Sequence, residues 1–388
     1  MNEATDPSVG ILTYHVAVNN GAVLQAYALW KVLNDRGVSA EVIDYKPLPA
    51  MAHYTWFPGH NRKTAKIRHK LKQLLSKNGA YFGPDYLAWV TRYLKTTHFI
   101  SQQRASSAKT FFSESELKEV SGKYKMVICG SDQIWDYSTS FRGFSSAFYL
   151  DWVDTRYTFK ASYAASSGSV KTFGAQASKV KQFLSSFTNV GVRDQNTQIL
   201  LGEECGISSE LTLDPTYLIS WDHMLGASPC GNYLFVTLEN SVLPQKIEAL
   251  IVRIAKERNL QIISVSPEHA FANVIANNLG PQEWITYIYH ASFVVSDLFH
   301  GIIFSTKFEK PFMAVPRSHK MEKVGALLNS LGLEDRIYNP ALQNQTPEHF
   351  RKWVGIDYSQ AKRILELQVQ SSQNYLGSLL KLVSDKNP

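Results

Sequence analysis

Cysteine is scarce in this chain of 388 residues, and what there is forms no pattern. Cys129, Cys205 and Cys230 stand apart, with no CxxC spacing and no histidine cluster beside them. A disulfide framework or a structural zinc site is therefore not expected, and a reducing compartment is. Long apolar runs are missing as well. Nothing approaches the roughly 18 uninterrupted apolar residues of a membrane span. The start, "MNEATDPSVGILTYH", lacks the basic segment and apolar core of a secretory signal, so the expected location is the cytoplasm. Glycine-rich phosphate fingerprints are also absent. The loop after the first apolar run has only Gly21 where GxGxxG needs three glycines, and no Walker A sequence occurs. A dinucleotide cofactor is thus unsupported. No metal is expected either, because His, Cys and carboxylates nowhere fall at ligand spacing.

What is present describes a globular protein with sizeable cores: 44% hydrophobic and 19% charged residues. Forty Lys and Arg against 33 Asp and Glu leave a formal charge of +7, which favours anionic partners without naming one. No nucleic-acid-binding motif accompanies that charge. The length suits two domains.

Short apolar runs alternate with helical patterns throughout. "VGILTY" and "AEVIDY" read as buried parallel strands. Between them Val23, Tyr27, Trp30 and Leu33 fall at helical spacing, with Gly37 placed to close the helix. "KMVICG", "FKASYA" and "NVGVRD" continue the series, and "LTLDPT" ends it. A second series runs through "NYLFVTLE", "LQIISVS", "SFVVSD" and "PFMAVP", with helices at "PQEWITYIYHA" and "GIIFSTKFEK" between its later strands. The expected architecture is α/β: two Rossmann-like domains facing a cleft, GT-B-like. The first covers residues 1–222 and the second 223–355. Residues 356–388 form a C-terminal helix that packs back on the first domain. Residues 60–77, "HNRKTAKIRHKLKQLLSK", place Ile67, Leu71, Leu74 and Leu75 on one helical face among lysines and arginines. Such a basic amphipathic helix either packs on the first domain or lies on an anionic membrane.

Ligands of open α/β sheets collect beyond the carboxyl ends of the strands, and four polar loops fall there. In the first, Asn19, Asn20 and Gly21 either present polar groups to a sugar or phosphate or simply start a helix. In "GSDQIW", Asp132 could take a proton from a sugar hydroxyl or cap a turn, and Trp135 could support a sugar ring or fill the core. Arg193, at the end of "NVGVRD", could clamp a carboxylate or phosphate, or serve domain packing. His300, in "SDLFHG", sits at a strand–helix junction beside Gly301. There it can hold phosphate, deliver a proton or finish a cap. Lys307, Arg317, Lys320 and Lys323 make the following region electropositive.

Taken in order, "GILTYHVAVNNGAVLQAYAL", "VICGSDQIW", "SYAAS", "GVRD", "LDPT" and "SDLFHGIIFSTKFEKPFMAV" resemble the polysaccharide pyruvyl transferase family, over roughly residues 10–316. The resemblance implies an enzyme that moves the pyruvyl unit of phosphoenolpyruvate onto two hydroxyls of one sugar, forming a cyclic ketal and releasing phosphate. It needs no cofactor beyond the donor substrate. Arg193 and His300 match the family's donor-holding arginine and histidine. From the chemistry, the expected catalytic residues are His300 and Asp132, and the expected donor site adds Gly301, Arg317 and Lys320 to Arg193 and His300. The acceptor site would draw on His15, Asn19, Asn20, Gly21, Ser131 and Trp135. Acceptors in the family are bacterial surface polysaccharides or lipid-linked precursors, which places the protein in the cytoplasm, at the inner membrane face. Two departures stand out: Leu298 where many relatives have arginine, and Asn20 where many have tyrosine. The competing expectations are a nucleotide-sugar glycosyltransferase on the same fold and an inactive glycan-binding protein.

Overall fold

The computed structural model describes residues 7–15, 18–47, 84–138, 143–239, 242–315, 317–339, 353 and 355–385, without the side chains of 84–86 and 318–320. The basic segment 60–77 lies outside the described residues.

The apolar runs form the strands expected of them. In the first domain these are β1 (Val9–Leu12), β2 (Ala40–Tyr45), β4 (Met126–Cys129), β5 (Phe159–Ala165) and β6 (Asn189–Val192). Two more, β3 (Ser106–Phe111) and β7 (Glu210–Leu211), complete a parallel sheet in the order β3-β2-β1-β4-β5-β6-β7. The second domain holds β8 (Tyr233–Thr237), β9 (Gln261–Ser264), β10 (Val274–Ile275), β11 (Phe293–Ser296) and β12 (Phe312–Ala314), in the order β10-β9-β8-β11-β12, again parallel. Every residue of β1, β4, β8 and β11 is buried, because helices cover both faces of each sheet. The strands that the pattern of the chain hides are β3 and β10. Both are edge strands, and half-solvated edges need no continuous apolar run.

Helices of eight or more residues are numbered α1 (Asn20–Asn34), α2 (Pro84–Thr97), α3 (Ala177–Leu184), α4 (Gln195–Cys205), α5 (Gln245–Glu257), α6 (Pro281–His290), α7 (Phe299–Lys307), α8 (Ser318–Ser330) and α9 (Ser359–Asp385). In each sheet the chain reverses its direction of winding beside the first strand, between β1 and β4 and between β8 and β11. These are the switch points where open α/β sheets leave a crevice. Here the two crevices face each other. Asn20 donates from Nδ2 to the Leu279 carbonyl at 3.3 Å, and Tyr217 shares a hydrogen bond of 2.7 Å with Thr306 across the domains.

The C-terminal helix α9 returns to the first sheet. Ser372, Tyr375, Leu376, Leu379 and Val383 recur at helical spacing and are buried. Tyr375 Oη donates to the Ser162 carbonyl of β5 at 2.8 Å, and Ser372 Oγ accepts from the Leu213 amide at 2.8 Å. Tyr375→Phe should therefore lower stability by about 0.5–1.5 kcal/mol, since one buried carbonyl loses its donor. Urea denaturation reads this directly, and an unchanged midpoint would mean that α9 docks by apolar contact alone.

Candidate active site

The ends of β1, β4, β5, β8, β9 and β11 converge on a cavity of about 730 Å³ between the domains. Asn19, Gly21, Asp132 and Gln133 line it from the first domain, and Glu239, Leu298, Phe299, His300 and Lys323 from the second.

Two helix N-termini meet there. Asn19 caps α1, its Oδ1 accepting from the Gly21 and Ala22 amides at 3.0 and 3.3 Å. The cap position of α7 is Leu298, whose side chain carries no hydrogen-bond acceptor, so the first turn of that helix has no side-chain cap. His300 lies in this turn, and its ring rests against Gly21. A β-carbon on Gly21 would stand 2.4 Å from His300 Cγ and Nδ1. Only glycine lets α1 come this close. Gly21→Ala should push the imidazole aside and lower kcat/KM by about 10²-fold, the cost of misplacing a reacting group by about 1 Å. Steady-state kinetics beside a thermal melt separate this from simple unfolding, and an unaltered rate would mean that the ring tolerates displacement.

Behind the cavity wall lies a chain of charges that spans both domains. His300 Nε2 donates to Asp214 Oδ2 at 3.2 Å, and Arg193 Nη1 donates to the same oxygen at 3.1 Å. Arg193 Nη2 continues to Asp132 Oδ1 at 3.3 Å. Asp214 Oδ1 is occupied by the Thr216 amide and hydroxyl at 3.1 and 2.7 Å. Burial pushes the Asp214 carboxyl up, but His300, Arg193 and Thr216 outweigh it and hold the group well below the usual carboxylate range. Burial likewise opposes the Arg193 charge, and Asp132, Asp214 and Asp194 raise its pKa above the ordinary value. The guanidinium also lies 4.6 Å from the centre of the Phe299 ring, with Lys323 Nζ 5.7 Å from that centre. Asp132 adopts a φ of 78°, in the left-handed region that Asp tolerates better than most residues.

The fold thus brings His300, Asp132, Asn19, Asn20 and Gly21 to one cavity. It places the other expected residues elsewhere. Arg193 has a side chain only 5% exposed and does not line the cavity; its guanidinium is enclosed by the two carboxylates. Trp135 is buried and stacks on Tyr149 at 5.5 Å, donating from its indole nitrogen to the Phe148 carbonyl. It fills the core and offers no face to a sugar. Ser131 is wholly buried. His15 is buried too, hydrogen bonded to Asp44 Oδ1 at 2.8 Å and to the Thr13 carbonyl at 3.0 Å. Gly301 serves packing: a β-carbon there would meet Ser296 Oγ at 2.1 Å. Arg317 bonds Glu239 and lies 3.4 Å from Asp297, outside the cavity lining. The Lys320 side chain lies outside the described residues. Asp214 was visible only as part of "LDPT", where an Asp ends a strand and precedes Pro215. Its partners are far away in sequence. Arg92, on α2, also lines the cavity, and no motif marked it.

The fold defines the class first: two facing Rossmann-like domains with a returning C-terminal helix, a GT-B-like arrangement. It is shared with the S. aureus MnaA–UDP co-structure, at a TM-score of 0.50 and 11% identity over 98% of both chains. Medicago truncatula UGT71G1 complexed with UDP-glucose superposes at a TM-score of 0.46 with 12% identity over 99% of each chain. Neisseria meningitidis UDP-GlcNAc 2-epimerase superposes at 0.45 with 8% identity, covering 93% of this chain and 99% of that one. No curated protein sequence matches the chain at significant similarity. The polysaccharide pyruvyl transferase family model matches residues 19–319, and the chain belongs to that family.

Proposed function

We propose that this protein transfers the pyruvyl group of phosphoenolpyruvate to two hydroxyls of a sugar in a bacterial surface polysaccharide or its lipid-linked precursor. Family membership supports the reading, and the observation that carries it is His300, held by Asp214 from the opposite domain and facing the same cavity as Asp132.

The chemistry needs one proton delivered to carbon and two removed from oxygen. His300 Nε2 is engaged with Asp214, so Nδ1 is the ring nitrogen left to exchange a proton. His300 protonates the methylene carbon of phosphoenolpyruvate, which makes the neighbouring carbon electrophilic. A sugar hydroxyl attacks that carbon, and Asp132 accepts its proton. The bond from that carbon to the phosphate oxygen then breaks, and phosphate departs with the proton that Asp132 had taken. The second hydroxyl attacks, returns its proton to His300 and closes the ketal, which restores both groups. Arg193 acts as a positioning residue, fixing Asp132 directly and His300 through Asp214. The uncapped first turn of α7 faces the departing phosphate. The basic segment 60–77 would hold the enzyme at an anionic membrane surface, where lipid-linked acceptors reside.

The test is product analysis. Purified protein is incubated with phosphoenolpyruvate and a panel of glycan acceptors, and phosphate release and acceptor mass are followed together. The expected result is phosphate release that depends on the acceptor, with a mass gain of pyruvate less water. Transfer of a sugar from a nucleotide donor, without either signal, would overturn the reading.

A further inference from the structure

The charges around His300 leave a deficit. Arg193 is shared between Asp132 and Asp214, so that cluster offers no net positive charge to an anionic ligand. A trianionic donor needs cations on the cavity side, and the side chains there that carry permanent positive charge include Arg92 and Lys323.

Arg92 differs from the other arginines at this interface in having neither a hydrogen bond nor an ion pair among the described residues. The acidic group that influences it is Glu239, whose carboxylate is hydrogen bonded to Arg317. The guanidinium is half-buried, and a partly dehydrated, permanently charged fork without an acceptor is poised for an anion. Its position is fixed from both domains. Lys95 and Thr96 lie three and four residues further along α2, on the same helical face. Lys95 pairs with Glu283 of α6 in the second domain, and Thr96 Oγ1 donates to Asn20 Oδ1 at 3.0 Å beside the α1 cap. This face of α2 is thereby clamped against the mouth of the crevice.

We infer that Arg92 is an anion-binding residue of the cleft, taking the phosphate or carboxylate of the donor with paired N–H groups. The inference rests on the phosphoenolpyruvate reading and supplies, from the first domain, a cation that Leu298 does not. Burial also opposes the Arg92 charge, with Glu239 compensating in part, so a bound anion would relieve the penalty.

The test is calorimetric titration of phosphoenolpyruvate into the full-length wild-type protein, Arg92→Gln and Arg92→Lys, each checked by thermal melting without ligand. The expected result is affinity weakened roughly 10–100-fold in Arg92→Gln, the range of a lost charge-assisted hydrogen bond. Arg92→Lys should fall between, because an ammonium keeps the charge and loses the fork. Both ligand-free proteins should melt like the wild type, since no hydrogen bond or ion pair among the described residues is removed. Wild-type affinity in Arg92→Gln would overturn the inference and leave the functional reading standing. A wild-type protein that does not bind phosphoenolpyruvate would overturn that reading and this inference with it.

Discussion

His300→Ala is expected to lower pyruvyl transfer by roughly 10²–10⁴-fold, the usual contribution of a positioned proton donor. The ring stands where the two domains meet, between the Gly21 backbone and Asp214, and it lines the cavity. Removing it takes away the proton carrier and one of the hydrogen-bond partners of Asp214. His300→Gln keeps a donor to Asp214 but cannot carry a proton, so it separates the two roles. If positioning alone mattered, the glutamine variant would recover most of the rate. The glutamine variant should instead stay close to the alanine variant, with donor KM changed less than kcat. Single-turnover measurement with excess enzyme resolves the chemical step.

Asp214→Ala should have the largest effect on stability, about 3–5 kcal/mol, the cost of stranding buried charges by removing their partner. Asp214 accepts four hydrogen bonds, and Arg193 would be left with Asp132 alone. The same carboxylate governs the response to acid. Its pKa is depressed below the ordinary 3.8 in the folded protein. Asp44 is depressed as well, burial being outweighed by His15, Lys46 and Thr110. A depressed carboxylate contributes its stability fully above the unfolded value, and that contribution is lost as pH falls toward the folded one. Wild-type stability should therefore drop steeply as pH falls below about 4. Asp214→Asn should start lower at neutral pH and fall less between neutrality and acid. Urea titrations at several pH values check this, and parallel pH profiles for the two proteins would mean that Asp214 is not ionised in the folded state.

The fold was largely legible because a strand buried on both faces must be apolar along its length. "VGIL", "MVIC" and "FVVS" announce themselves in that way, and the polar residues that follow each run mark the crevice. That logic pointed to His300 and Asp132, which line the cavity, but equally to Arg193 and Trp135, which lie buried behind it. The connections between the charged residues could not be read in that way. Asp214 joins Arg193 and His300 through one carboxylate oxygen, but the partners are 21 and 86 residues away and belong to different sheets. No local pattern encodes such a contact. Trp135 shows the converse: an aromatic residue in a polar loop has two destinations, and only the packing of Tyr149 and Phe148 decides for the core. Arg92 was silent for a third reason. An arginine on an amphipathic helix is ordinary until the tertiary fold turns that face toward a cavity, with no carboxylate bonded to it among the described residues.

Donor binding tests the central claim most directly. The thermal melt of the purified protein is compared with phosphoenolpyruvate and with uridine and guanosine nucleotide sugars, in the wild type and in His300→Ala. At about 100 times its dissociation constant a ligand stabilises the fold by roughly 2.7 kcal/mol. A pyruvyl transferase should show a rise with phosphoenolpyruvate that shrinks in His300→Ala, and none with the nucleotide sugars. A rise with a nucleotide sugar alone would contradict that reading and assign the cleft to glycosyl transfer.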